Sequence, residues 1–167
     1  MNLEESGKVY TEWKIQKFSD RASYLGNKPF EVSEFSKNVL LNEGIQELLD
    51  LLIGVGGAVT AFNQANTALG VGDSTASSGV ATSTGLLSTA NTLFVQCSTG
   101  YPSRSAQTVT WRAVFSSAQA NFNWREFAVR NSLTSTGRDR DLNRRVSNQG
   151  TKVAGQTWTL DLQLTVS

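Results

Sequence analysis

Residues Thr157 to Val166 alternate without a break, with Trp158, Leu160, Leu162, Leu164 and Val166 on one side and Thr157, Thr159, Asp161, Gln163 and Thr165 on the other. A period of two sustained over this length places one face on a core and the other toward water, the signature of a strand in a layered β structure. Upstream segments repeat it. Thr108 to Phe115 sets Val109, Trp111, Ala113 and Phe115 on one face, and residues 121–131 carry Phe122, Trp124, Phe127 and Val129 with a shift of face near Glu126 that marks a bulge. Ser and Thr form roughly a fifth of the chain, and Thr suits the pleated sheet while Ser, Asn and Gly supply turns. These patterns predict a mainly β chain: an antiparallel β-sandwich with Trp111, Phe115, Trp124, Leu160, Leu162 and Leu164 in its core.

Two regions depart from that pattern. Between Asn42 and Gly54 the period changes, because Ile45, Leu48, Leu49 and Leu52 fall at i, i+3, i+4 and i+7. This predicts one short amphipathic helix over residues 43–53, capped by Asn42 and ended by Gly54, whose Leu face lies on the sheet or on a neighbouring subunit. In residues 8–18, Val9, Thr11, Trp13 and Ile15 alternate with polar residues, and Phe30, Val32 and Phe35 suggest a second extended segment. Residues 1–37 are therefore expected to form an extended N-terminal arm or hairpin that docks on another surface, and residues 38–167 the sandwich body. Val9, Trp13, Ile15, Phe18, Phe30 and Phe35 are the candidate interface residues of that arm. The sequence DSTASSGVATSTG, residues 73–85, has little to bury and is expected to be an exposed loop.

Catalytic chemistry has few handles here. The chain has no histidine, which removes Ser-His-Asp and Cys-His nucleophiles and His-ligated zinc. Its one cysteine, Cys97, reads as a small buried hydrophobe. The glycines at 54, 56 and 57 and at 70 and 72 are not followed by Lys-Ser or Lys-Thr and read as turns. Asp73 with Ser74 and Thr75 suits an Asx-type turn better than a cation site. Glu126, between Trp124 and Phe127 and flanked by Arg125 and Arg130, reads as half of a structural ion pair. No enzymatic activity, cofactor or metal is expected.

A net charge of +1 argues against a nucleic-acid partner. Arg138, Arg140, Arg144 and Arg145 crowd with Asp139 and Asp141, and this mixture favours inter-subunit salt bridges or a solvated loop over phosphate tracking. These four arginines complete the candidate interface. No apolar run is long enough to span a membrane, and the acidic start MNLEESGKVY lacks the basic flank of a signal peptide, so a soluble protein made in the cytoplasm is expected.

The ordered segments LLNEGIQELLDLLIG, AFNQANTALGVGDST, Gly100 to Pro102, VTWRAVF, ANFNWREFAVRN, LNRRV and GTKVAGQTWTLDLQLTVS resemble a group of small virion structural proteins from tailed bacteriophages. The resemblance covers most of residues 38–167. It implies a β-rich body without catalysis, present in many copies, acting as a capsid decoration (cement) protein or a tail-associated one. The expectation is a homotrimer on the capsid surface, synthesised in the host cytoplasm, that binds the major capsid protein and stabilises the head, with no nucleic acid, membrane or small-molecule ligand. A tail, neck or baseplate component is the alternative within that group. A carbohydrate-binding β-sandwich, with Tyr101 and Trp111 as stacking platforms, is the alternative from another class.

Overall fold

The computed structural model describes residues 7–55, 60–76, 81–133 and 140–167. Within them the fold is mainly β, as expected: two antiparallel five-stranded sheets that share one apolar interior. The first sheet runs β2 (Glu31–Ser36), β1 (Val9–Phe18), β10 (Thr157–Val166), β7 (Thr108–Phe115) and β6 (Ser103–Ser105). The second runs β3 (Val39–Leu40), β9 (Asp141–Val146), β8 (Glu126–Arg130), β4 (Ala68–Gly72) and β5 (Thr92–Gln96). Two helices accompany them, α1 (Arg21–Leu25) and α2 (Asn42–Ile53), where one was expected. The ladder between β8 and β9 shifts register at Val129/Arg130, a few residues beyond the change of face anticipated near Glu126.

The apolar side of β10 is the floor of the core. Trp158, Leu160 and Leu162 are buried beside Trp111, Ala113 and Phe115 of β7, and they face Leu69, Val71, Phe127 and Val129 of the second sheet. Trp124 sits between the layers. Phe115 and Trp158 meet it edge-on at ring-centre distances of 4.8 and 4.9 Å, an arrangement in which positive ring edges approach negative faces. Leu164 is partly buried at the end of this core, and Val166 is exposed.

The polar side of β10 does not simply meet water. Thr157, Thr159 and Asp161 are buried as well. Arg112 holds Asp161 through two parallel bonds, of 2.7 and 2.5 Å, which satisfies a carboxylate removed from solvent. At the same end Asp20 caps α1 in a reciprocal box with Ser23, and Arg21 and Tyr24 of that helix line a hollow with Val114 and Thr157. Period two identifies the two faces of a strand, but not whether a later element covers the polar one.

The N-terminal segment corrects the expected division into arm and body. Residues 9–36 do form a hairpin, with Trp13 opposite Phe35 and Lys17 opposite Glu31. However, β1 also pairs along its whole length with β10, from Val9 opposite Val166 to Phe18 opposite Thr157. Trp13 and Ile15 belong to the common core, and Phe35 reaches Phe127 of the other sheet at 5.3 Å between ring centres. Phe18 is buried on the opposite face, where the Tyr24 ring meets it edge-on at 5.3 Å. The apparent lack of a partner was a matter of distance along the chain, since the partner is the last strand. Position 37 marks the point at which the chain leaves one sheet for the other.

Helix α2 ends as expected, with Gly54 in the left-handed region at φ 66° and the Val55 amide donating to the Asp50 carbonyl. Its start differs. Leu41 occupies the cap position without a side-chain bond, and Asn42 is already helical. The helix presses Gly44 against β9 so closely that a Cβ there would lie 2.5 Å from Leu142 Cα. Leu41 and Glu47 are buried on the same side, and Leu51 packs on the core. Gly44→Val is expected to force α2 off β9 and lower stability by about 1–3 kcal/mol, the usual cost of overpacking, read as a lower urea midpoint with an ordered sandwich retained. An unchanged midpoint would contradict this close packing.

Candidate interaction surfaces

The orientation of α2 decides what it presents to solvent. Glu47 Oε1 accepts from the Thr60 amide at 2.5 Å and from Asn131 Nδ2 at 3.1 Å, and Glu43 accepts from the Asp141 amide at 2.9 Å. Both carboxylates therefore serve the body. The helix face left outside carries Ile45, Leu48, Leu49, Leu52 and Ile53, with Leu52 80% and Ile53 71% exposed. Of the two positions left open for the Leu face, the sheet is excluded. Ile45, Leu49 and Ile53 form one i, i+4 row and Leu48 and Leu52 a second, so the apolar side chains adjoin. Val55 and Leu133 are exposed too, and Leu133 lies two residues beyond the Asn131 that binds Glu47.

A second exposed apolar group lies at one end of the first sheet, where Val9 and Val166 are register partners and Tyr10 follows. Tyr10 lines a hollow there with Glu12, Ser36, Gln163 and Thr165. Phe30 and Val32 are exposed at the edge strand β2. Of the candidate residues from the N-terminal segment, Val9 and Phe30 are therefore open to a partner. Phe35 is packed on the core, and Trp13, Ile15 and Phe18 are interior and present no surface.

The arginine cluster separates in the same way. Arg138 lies outside the described residues. Arg144 is fully buried on the outer side of the second sheet and pairs with the equally buried Glu126 at 2.8 and 3.0 Å. Glu126 is thus half of a structural pair as expected, but its partner is Arg144, not a flanking arginine. Its two oxygens also accept from the amides of Leu87 at 2.9 Å and Ser88 at 2.7 Å, while Arg144 donates to the Ala76 carbonyl at 3.0 Å. The ion pair fastens both ends of the segment between β4 and β5 over the sheet, and Gly72 leaves room for the Glu126 side chain beneath it. The expected exposed loop over 73–85 is accordingly held at its described ends; residues 77–80 lie outside the described residues. Arg145 donates to the Lys37 carbonyl at 2.8 Å, and the Arg140 amide donates to Asn131 at 2.7 Å. Arg144 is no interface residue, because solvation of a charged run is only the default where nothing covers the strand.

The other singled-out groups are structural in their geometry. Trp111 is buried with its indole N–H on the Phe62 carbonyl at 2.9 Å, and Tyr101 is half-buried beneath the Arg112 guanidinium at 5.0 Å. Neither is an open stacking platform. Hydrogen bonds from Ser88 and Asn91 hold the Asp73 carboxyl below its usual range. Burial pushes the Cys97 thiol up. Burial also pulls the Lys152 ammonium down to about 8, although it donates to the Ser116 carbonyl and Asn121 Oδ1 at 2.8 and 2.9 Å. Among the described residues no group of three or more Cys, Asp or Glu is placed to hold a metal ion, and no helix is long and apolar enough to cross a membrane.

Sequence reasoning missed the roles of Gly44, Glu47, Glu126 and Arg144 in setting which faces are covered. One signal was present: Leu51 lies on the side of α2 away from Leu48, Leu49 and Leu52, and a helix apolar on two sides needs partners on two sides. No family model matches the chain, and neither the curated proteins nor the solved structures contain a match.

Proposed function

We propose that this protein is a virion structural component of a tailed bacteriophage, a capsid decoration protein that binds the shell of the major capsid protein and stabilises the head. The observation that carries the assembly part of this reading is the uncharged apolar face of α2, displayed by a sandwich whose own core is already filled. Exposed apolar area of this kind on a folded domain marks a protein contact. The ordered motifs from LLNEGIQELLDLLIG to GTKVAGQTWTLDLQLTVS supply the virion context. Val9, Tyr10 and Val166, with Phe30 and Val32 along the sheet edge, offer a surface for the shell that is separate from α2.

A ligand that binds the assembled shell and not its dissociated subunits stabilises the assembly by mass action, by about 2.7 kcal/mol per site at a hundredfold excess over Kd. Heads stripped of the protein are therefore expected to release DNA at a lower temperature than complete heads, and added protein is expected to restore the difference. Because apolar burial is weakly screened, restoration should persist at 0.5–1 M salt, where the Debye length is only about 3–4 Å. Stripped heads that keep full heat resistance would contradict the decoration role, and retention of the protein on isolated tails alone would assign it to the tail.

A further inference from the structure

We infer that the outer face of α2 is a contact between copies of this chain, in which Ile45, Leu48, Leu49, Leu52 and Ile53 of one copy pack on the same residues of another. The inference deepens the reading of the chain as an assembly protein and rests on it, yet the two can fail separately.

Charge selects the occupant. The three carboxylates of α2 are unaccompanied by any Lys or Arg on the helix, and two of them, Glu43 and Glu47, are bonded to the body. The third, Asp50, lies about 130° around the helix from the centre of the apolar face at 100° per residue. A second copy consequently brings no like charges together, whereas a charged partner surface finds nothing to pair with. Area agrees. The five side chains are exposed enough that, fully covered on both copies, they would approach the roughly 1,000 Å² threshold of a specific interface. The i, i+4 rows 45/49/53 and 48/52 are ridges of the kind that interdigitate when like helices pack around a symmetry axis.

The test uses the full chain. Sedimentation of the wild-type protein is expected to show a homo-oligomer, and Leu52→Glu is expected to weaken it at least about thirtyfold, the effect of losing an interface hot spot. Leu52 is 80% exposed, so the variant should keep the wild-type circular dichroism and a cooperative thermal transition. A second measurement exploits the burial of Cys97, which leaves an introduced Leu49→Cys as the accessible thiol among the described residues. A short bis-maleimide should then join two chains efficiently, whereas Ser105→Cys on the exposed strand β6 should not react in this way. A wild-type monomer at about 100 μM, a concentration above the Kd of any useful self-contact, would overturn the inference, as would an oligomer indifferent to Leu52→Glu. If that monomer lost binding to heads on Leu52→Glu, the shell would be the occupant and the decoration role would stand. An oligomer that responds to Leu52→Glu but never binds heads would leave the self-contact intact and remove the decoration role.

Discussion

Removal of residues 1–37 is expected to unfold the protein, not to release a stable body. The deletion takes away β1 and β2, and with β1 one of the two strands that pair with β10, the one that pairs along its whole length. It also removes Trp13 and Ile15 from the closed core and uncovers Leu160 and Leu162, their register neighbours. Truncating a buried Trp costs about 3–5 kcal/mol and a buried Ile about 2–5. These two losses alone rival the usual total stability of about 5–15 kcal/mol, before the unpaired backbone of β10 is counted. Circular dichroism of the truncated chain should lack a cooperative thermal transition, and limited proteolysis should leave no resistant fragment. A cooperative melt with a protected fragment from about residue 38 onward would mean that the first strand is peripheral.

The second large effect concerns the covered outer face of the second sheet. Glu126→Ala leaves Arg144 charged, fully buried and without its carboxylate, a situation that costs about 3–5 kcal/mol. It also deprives the Leu87 and Ser88 amides of their acceptor, so the loss should be felt in the segment that crosses the sheet. Urea unfolding is expected to show that drop, and hydrogen exchange should be faster at Leu87 and Ser88. Replacing both partners, Glu126→Ala with Arg144→Met, should cost less than Glu126→Ala alone, because no buried charge remains. Equal stability of Glu126→Ala and the wild type would show that Arg144 reaches water.

These two cases also show where sequence reasoning holds and where it stops. The alternation in β10 carries the fold class because a period of two has one structural meaning when one side is wholly apolar. The same alternation in β1 identifies a strand but not its neighbour, and the neighbour comes from the opposite end of the chain. For α2 the heptad-like spacing predicts the helix and its final glycine, whereas the direction it faces depends on Gly44 fitting against Leu142 and on Glu47 finding Thr60 and Asn131. Neither contact leaves a mark in the periodicity. The densest run of charge predicts Arg144 at the surface, yet it is buried against Glu126 and the Ala76 carbonyl, with Leu87 and Ser88 bonded to Glu126 above the sheet. The segment between β4 and β5 has almost no hydrophobic signal of its own and is held instead by polar bonds to its main chain. Exposed Val9 and Phe30 survive as interface candidates because alternation near a strand end or turn says nothing about cover.

The proposed role is that of a repeated part of a phage head, acting through its outer faces. Cryo-electron microscopy of intact virions tests that claim most directly. It should reveal density that fits the two-sheet sandwich at regularly repeated positions on the outside of the head, with α2 at a junction between copies. Heads without such density, or sandwich-shaped density confined to the tail, would contradict it.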